Sequence, residues 1–164
     1  VKELYRSAAG FVIFLLMCLG AQLTGSFLTM PAVRSGWYAA LKKPVFNPPG
    51  WLFAPVWTFL FFTMAVAAWM VWERESEEPL VKPALLIFFV QLVFNVLWSA
   101  IFFSLQRPGA ALADIVILWL LILAVVLIFY RIRRPAAWLL VPYLIWVLFA
   151  AVLNGTIWWL NRGG

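Results

Sequence analysis

Histidine is absent from the 164 residues. The commonest metal ligand and the commonest general base are therefore missing. Charge is scarce as well, at 11% of residues, against about 25% in an average soluble domain. The single cysteine, Cys18, cannot close an intramolecular disulfide, so cysteine usage says nothing of redox compartment. No nucleophile–base pair, metal-ligand cluster or phosphate-binding glycine loop stands out. The net charge is +6, but the basic residues are scattered between apolar runs and form no continuous stripe, which argues against nucleic acid as a partner.

What the chain has in abundance is apolar surface. Apolar residues make up 66% and the mean hydropathy is +1.02. A soluble globule of this composition would expose large apolar patches and aggregate, so a membrane-embedded protein is the default. Apolar runs cover roughly 7–30, 51–72, 80–104, 109–132 and 135–160. At about 1.5 Å per residue each is long enough for a hydrocarbon core of roughly 30 Å. The runs are continuous rather than alternating, which fits helices and not a β-barrel. The links around Glu73–Pro79, Gln106–Pro108 and Arg131–Pro135 are short and make successive helices antiparallel neighbours. Pro83, Pro108 and Pro135 fall near helix starts, where a missing N–H costs little. The first span has a longer apolar core than a signal peptide, and Leu16-Met17 offers no small residue before Cys18 for lipoprotein cleavage; it reads as retained. The fold class is thus an all-α integral membrane protein, a five-transmembrane-helix bundle forming one domain over 1–164.

Five spans put the termini on opposite sides. Lys2, Arg6, Arg74, Lys82, Arg131, Arg133 and Arg134 share the N-terminal side; Arg34, Lys42, Lys43, Arg107 and Arg162 share the other. Seven against five is a slight bias toward a cytoplasmic N-terminus.

The link over 31–50 is much longer than the rest and combines Trp37, Tyr38, Lys42-Lys43-Pro44, Phe46 and Pro48-Pro49-Gly50. Such aromatic content argues against disorder. Two readings stand: a proline-stiffened lid over the bundle, or a surface anchor of Trp, Tyr and Lys.

Polar residues inside spans usually face the bundle interior. Gln91, Asn95 and Ser99 recur at every fourth position of the third span, beside Trp98 and Phe102. Tyr143, Trp146, Ala150, Leu153 and Asn154 form a mixed face on the fifth, and Trp57, Phe61, Ala65, Ala68 and Trp72 a face of the second. The amides serve either as interhelical ties or as ligand contacts. Gly20, Ala21, Thr24 and Gly25 read as a packing face on the first span. Asp114, in the second turn of the fourth span, reads as a cap or as an ion pair with Arg107 rather than a proton carrier. Of the 11 tryptophans, Trp51, Trp69, Trp72, Trp138, Trp158 and Trp159 suit interfacial belts, whereas Trp57, Trp98, Trp119 and Trp146 lie deeper. Counted from the helix ends, Trp57, Asn95, Trp98, Ala150 and Asn154 share one half of the membrane, beneath the long loop. Together they outline an aromatic-walled pocket suited to a flat, largely apolar ligand with a polar edge.

These residues also resemble a known family. Trp37-Tyr38, Lys43-Pro44, Pro48-Pro49 and Trp57 resemble the first loop and second helix of the translocator protein (TSPO) or tryptophan-rich sensory protein family. Gln91, Asn95, Trp98, Ser99 and Phe102-Phe103 resemble its third helix; Ala111-Leu112-Ala113-Asp114 its fourth; and Trp138, Pro142-Tyr143, Trp146, Phe149-Ala150 and Leu153-Asn154 its fifth. The likeness runs through essentially the whole chain in order. It implies a bundle of five helices, a homodimer in a lipid bilayer, and binding of tetrapyrroles such as protoporphyrin IX and haem, with cholesterol and benzodiazepine-site ligands as further possibilities. By position it implies a ligand site of Tyr38, Pro48, Trp57, Phe61, Asn95, Trp98, Ala113, Ile117, Trp146, Ala150 and Leu153, with Trp37 helping to fold the lid. No cofactor is implied beyond porphyrin or haem as ligand. Gly155 replaces the tyrosine of the animal cholesterol-recognition motif, and Ala110 replaces a pocket tryptophan; both departures favour a microbial member. Light-dependent porphyrin breakdown is an alternative activity, with Trp57 and Trp146 as candidate reactive indoles. Active transport is a weaker reading, since Asp114 is the one acidic residue inside a span and no inverted repeat is visible.

Overall fold

The structure, a computed structural model, describes residues 1–163. Helix α1 covers Lys2–Arg34, α2 Trp37–Ala40, α3 Gly50–Trp72, α4 Val81–Ser99, α5 Pro108–Ile132 and α6 Arg134–Asn161. Among the described residues, α1, α3, α4 with its extension, α5 and α6 are the helices long and apolar enough to cross a membrane. Inside hydrocarbon every backbone N–H and C=O must find a partner within the protein, and long helices achieve this locally. Pro108 occupies the first position of α5, and Pro135 follows the first residue of α6. Their missing donors cost nothing there.

Helix α1 is longer than its apolar run suggests. It continues through Pro31 to Arg34, so the loop begins at Ser35 and itself contains the single turn α2. Gly36 links the two helices at φ 80°, a left-handed conformation that a side chain would strain. Helix α4 passes into a π-helical turn over Ala100–Ser104, where Leu105 N–H reaches back to the Ala100 carbonyl. The wider turn shifts the facing of the side chains that follow. Phe102 and Phe103, adjacent in sequence, consequently both reach the same side, with ring centroids 4.8 Å apart.

Around the bundle α1 lies against α3 and α4, α4 against α5, α5 against α6, and α6 against α3, which closes a ring. The half near the N-terminus is solid. Met64, Ala65, Ala68 and Val71 of α3 meet Phe88 of α4, Leu118, Ile122, Val125 and Phe129 of α5, and Leu140 and Val147 of α6. Small residues on α3 allow this close approach, which matters because lipid gives helices no hydrophobic drive to associate. The same end is tied by charge: Glu73 accepts hydrogen bonds from Ser7 Oγ at 2.6 Å and Arg133 Nη1 at 3.2 Å, joining α1, the end of α3 and the α5–α6 turn. The other half of the ring is hollow.

The small-residue face expected on α1 is partly misplaced. A Cβ on Gly25 would sit 3.3 Å from Ser99 Oγ, a true close approach, whereas one on Gly20 would meet nothing within 4 Å. Thr24 is exposed and turns its hydroxyl back to the Gly20 carbonyl at 2.8 Å. The tighter contact is at Gly10, where a Cβ would collide with the Trp72 ring.

Candidate functional site

A cavity of about 390 Å³ occupies the hollow half, walled by α1, α3, α4 with its π turn, and α6. Among the expected residues, Tyr38, Trp57, Phe61, Asn95, Trp98, Trp146, Ala150 and Leu153 line it. The indole of Trp57 is held between Phe61, at 5.7 Å, and Tyr143, at 6.4 Å. Trp146 packs between Phe53, at 6.0 Å, and Phe149, at 5.6 Å. These edge and tilted contacts fix the ring planes without filling the space between them.

Polar groups hold the walls in register. Tyr143 OH donates to Gln91 Oε1 at 2.8 Å and accepts from Asn95 Nδ2 at 2.8 Å, tying α6 to α4 deep in the bundle. Gln91 is thus an interhelical tie, whereas Asn95 is both a tie and a wall of the cavity. Nearer the lid, Trp98 Nε1 donates to Asn154 Oδ1 at 2.9 Å, and Asn154 Nδ2 donates to the Pro108 carbonyl at 2.7 Å. That pair braces α4, α6 and the start of α5. By contrast Trp146 Nε1 is buried and has no partner among the described residues. A buried N–H left unpaired is costly.

The loop closes the end of the cavity. Trp37 meets Phe102 edge-on at 5.9 Å, and Tyr38 meets Phe102 at 6.5 Å and Phe103 at 5.6 Å. Tyr38 OH donates to Asn47 Oδ1 at 3.2 Å. Burial pushes the Tyr38 phenol above its ordinary value, outweighing the lowering effect of Asn47. Lys43 lies 4.8 Å over the Tyr38 ring. The loop is also fastened to α6: Lys42 N–H donates to Asn161 Oδ1 at 3.1 Å, and Asn161 Nδ2 donates to the Lys42 carbonyl at 2.9 Å. The segment is thus packed on the Phe102–Phe103 end of the bundle and fastened to the end of α6.

Several expectations need correcting. Ala113 and Ile117 lie outside the cavity, on the outer face of α5, with Ile117 45% exposed. Helix α5 turns Ala111, Asp114, Ile115 and Leu118 inward, and Ala113 and Ile117, four apart on another face, point away from them. Helix α5 contributes no wall among the described residues. Pro48 does not line the cavity either; its carbonyl accepts from Asn47 Nδ2 at 3.0 Å inside the loop. Trp37 stands behind the lining and supports Phe102. Asp114 forms no ion pair with Arg107 among the described residues, and its Oδ2 is buried without a partner. Trp119, deep but remote from the cavity, donates to the Leu144 carbonyl at 3.2 Å and ties α5 to α6.

The contribution of α1 to the site was not anticipated: Ala21, Gln22, Gly25, Ser26, Thr29, Met30 and Val33 form one wall. Their spacing of three and four was the available signal, obscured because the same stretch reads as a small-residue packing face. Gln22 Nε2 donates to Thr58 Oγ1 at 2.8 Å, bridging α1 to α3 beside the cavity. Phe53, Ala54, Ser99, Phe102, Phe103, Asn154 and Ile157 also line it.

Fold and cavity define a class: an integral, multi-pass membrane protein whose helices enclose a lidded, aromatic chamber. The match to the TspO/MBR family model extends over residues 12–160, and the chain belongs to that family. It is 43% identical over 105 residues to the tryptophan-rich protein TspO of Archaeoglobus fulgidus, covering 63% of this chain and 66% of the relative, just under two thirds of that protein's length. It is 35% identical over 153 residues to protein CrtK of Rhodobacter capsulatus, covering 93% of each. The translocator protein of Homo sapiens is 37% identical over 83 residues, covering 49% of this chain and 48% of the relative.

Proposed function

We propose that this protein is a membrane receptor or carrier for tetrapyrroles such as protoporphyrin IX and haem. The observation that carries the reading is the lidded cavity with the Trp57, Trp98 and Trp146 indoles in its walls. Its volume of about 390 Å³ falls in the range of small-molecule sites, about 300–1,000 Å³. Indole and phenyl faces stack on a flat conjugated ring, and the amide of Asn95 orients its polar atoms. Among the side chains able to ligate iron, Tyr38 and Met30 border the cavity, and the Tyr38 hydroxyl is engaged with Asn47. Affinity thus comes from stacking, and metal-free porphyrin binds at least as well as haem. The protein works as a homodimer within the bilayer.

The test is titration of intrinsic tryptophan fluorescence in detergent with protoporphyrin IX, haem, cholesterol and a benzodiazepine-site ligand. Saturable quenching by both porphyrins, weakened in Trp146→Ala and Asn95→Ala, is the expected result. Saturation only by cholesterol would transfer the site to sterols. Trp57 and Trp146 both border the cavity, which supports the second reading, light-dependent porphyrin breakdown. Illumination of the complex then yields new absorption bands that Trp57→Phe or Trp146→Phe removes; equal bleaching in protein-free detergent would dispose of that reading.

A further inference from the structure

The charged residues are distributed unequally between the two ends of the bundle. Of the acidic side chains, Glu3, Glu73, Glu75, Glu77 and Glu78 lie at the N-terminal end and Asp114 lies within α5. All three salt bridges among the described residues, Arg6–Glu75, Arg74–Glu77 and Arg133–Glu73, are at that same end. The lidded end carries Arg34, Lys42, Lys43, Arg107 and Arg162, and the one carboxylate side chain in that half, Asp114, is buried in the second turn of α5.

These cations lie at the lidded end of the bundle, next to residues that line the cavity. Arg34 follows the lining residue Val33, and Lys43 sits on the lining ring of Tyr38. Lys42 is fastened by its backbone to Asn161 at the end of α6. Arg107 precedes Pro108, whose carbonyl is held by the lining residue Asn154. Arg162 rests on the Trp159 ring, 3.1 Å from its centroid. The side chains of Arg34, Lys42 and Arg107 are exposed and form no salt bridge among the described residues. A one-signed cluster above a low-dielectric chamber makes the potential at that end positive and raises the local concentration of anions.

Resting on the tetrapyrrole reading, we infer that the cavity takes an anionic ligand, oriented with its apolar ring among the indoles and its carboxylates at the lid, against Arg34, Lys42 and Arg107. The chamber walls provide indoles, phenyl rings and neutral amides for the ring and no cation for the acid groups. Carboxylates pushed into the apolar half would lose hydration without a partner, which is expensive. At the lidded end they stay near water and meet the cluster. The cluster thus fixes which edge of the ligand enters first and which remains accessible for release.

The experiment compares protoporphyrin IX with its uncharged dimethyl ester, which keeps the ring and removes both charges. Binding to the whole chain is measured in an uncharged detergent, at low salt and at about 0.5 M salt, where screening falls within a few ångströms. The free acid is expected to bind about tenfold more tightly than the ester at low salt, with the gap narrowing at high salt. The triple variant Arg34→Ala/Lys42→Ala/Arg107→Ala closes the gap by weakening the acid and leaves the ester's affinity unchanged, which also reports that its cavity is intact. Arg131→Ala, at the opposite end, retains the full gap. Equal affinity of acid and ester, or a gap that survives the triple variant, overturns the inference while leaving the porphyrin site standing. No saturable binding of either compound overturns the receptor reading and this inference together.

Discussion

Tyr143 carries more of the site's architecture than any other single side chain. Its hydroxyl donates to Gln91 and accepts from Asn95, so one oxygen satisfies two amides from α4 at a depth without water. Tyr143→Phe deletes both bonds and strands two buried amide groups. Stranding one such group costs about 1–3 kcal/mol in water-soluble proteins, and interhelical bonds in membranes average less, about 0.6 kcal/mol. A loss of about 1–2 kcal/mol is therefore expected, read as a lower melting temperature in detergent, with porphyrin affinity reduced because Asn95 loses its anchor. The Gln91–Asn95–Ser99 face was legible in the sequence because amides at every fourth position stand out against an apolar background. Their partner was not, since which α6 residue faces them depends on how two helices are rotated about their axes. Asp114 shows the same limit: its place in the helix was readable, but its lack of an ion pair was not.

Helix α1 and the lid supply the element-scale tests. Gly10 lies against the Trp72 ring, whereas Gly20 faces open space. Gly10→Ala must push a rigid indole aside and is expected to cost about 1–3 kcal/mol. Gly20→Ala is expected to leave stability unchanged or raise it by up to about 1 kcal/mol through helix propensity. Parallel denaturation curves for the two variants check the pair, and equal losses would mean that α1 is packed differently. At the lid, Asn161 makes two bonds to the Lys42 backbone. Asn161→Ala removes both, at about 1 kcal/mol net each. Amides of residues 37–49 are then expected to exchange with deuterium about tenfold or more faster, with the span cores unaffected. Span number and order were readable from runs of apolar residues set off by Pro and charge. Rotation was not: apart from Asp114 the span of α5 is apolar all round, so one polar residue alone marked its inner face and left Ala113 and Ile117 ambiguous. The extension of α1 past Pro31 is not legible either, because Pro within a span reads as an end although neighbouring helices tolerate it.

The molecule as a whole divides into a solid half, closed by small residues and the Glu73 ties, and a hollow half, closed by a lid. That division explains why the indoles have two distinct fates. Trp57 and Trp146 border the chamber, whereas Trp138 and Trp159 are 64% and 59% exposed on the outer surface, where lipid and headgroups meet. The central claim is that the ligand stacks on the first pair inside the bundle. The most direct measurement is the dissociation constant of protoporphyrin IX for Trp57→Ala, Trp146→Ala, Trp138→Ala and Trp159→Ala, each checked for an unchanged helical spectrum. An aromatic stacking contact is worth about 1 kcal/mol, so each cavity variant is expected to bind about fivefold more weakly, and each outer variant as tightly as the parent. Equal weakening across all four, or loss confined to Trp138 and Trp159, would place the porphyrin on the lipid-facing surface and contradict the account.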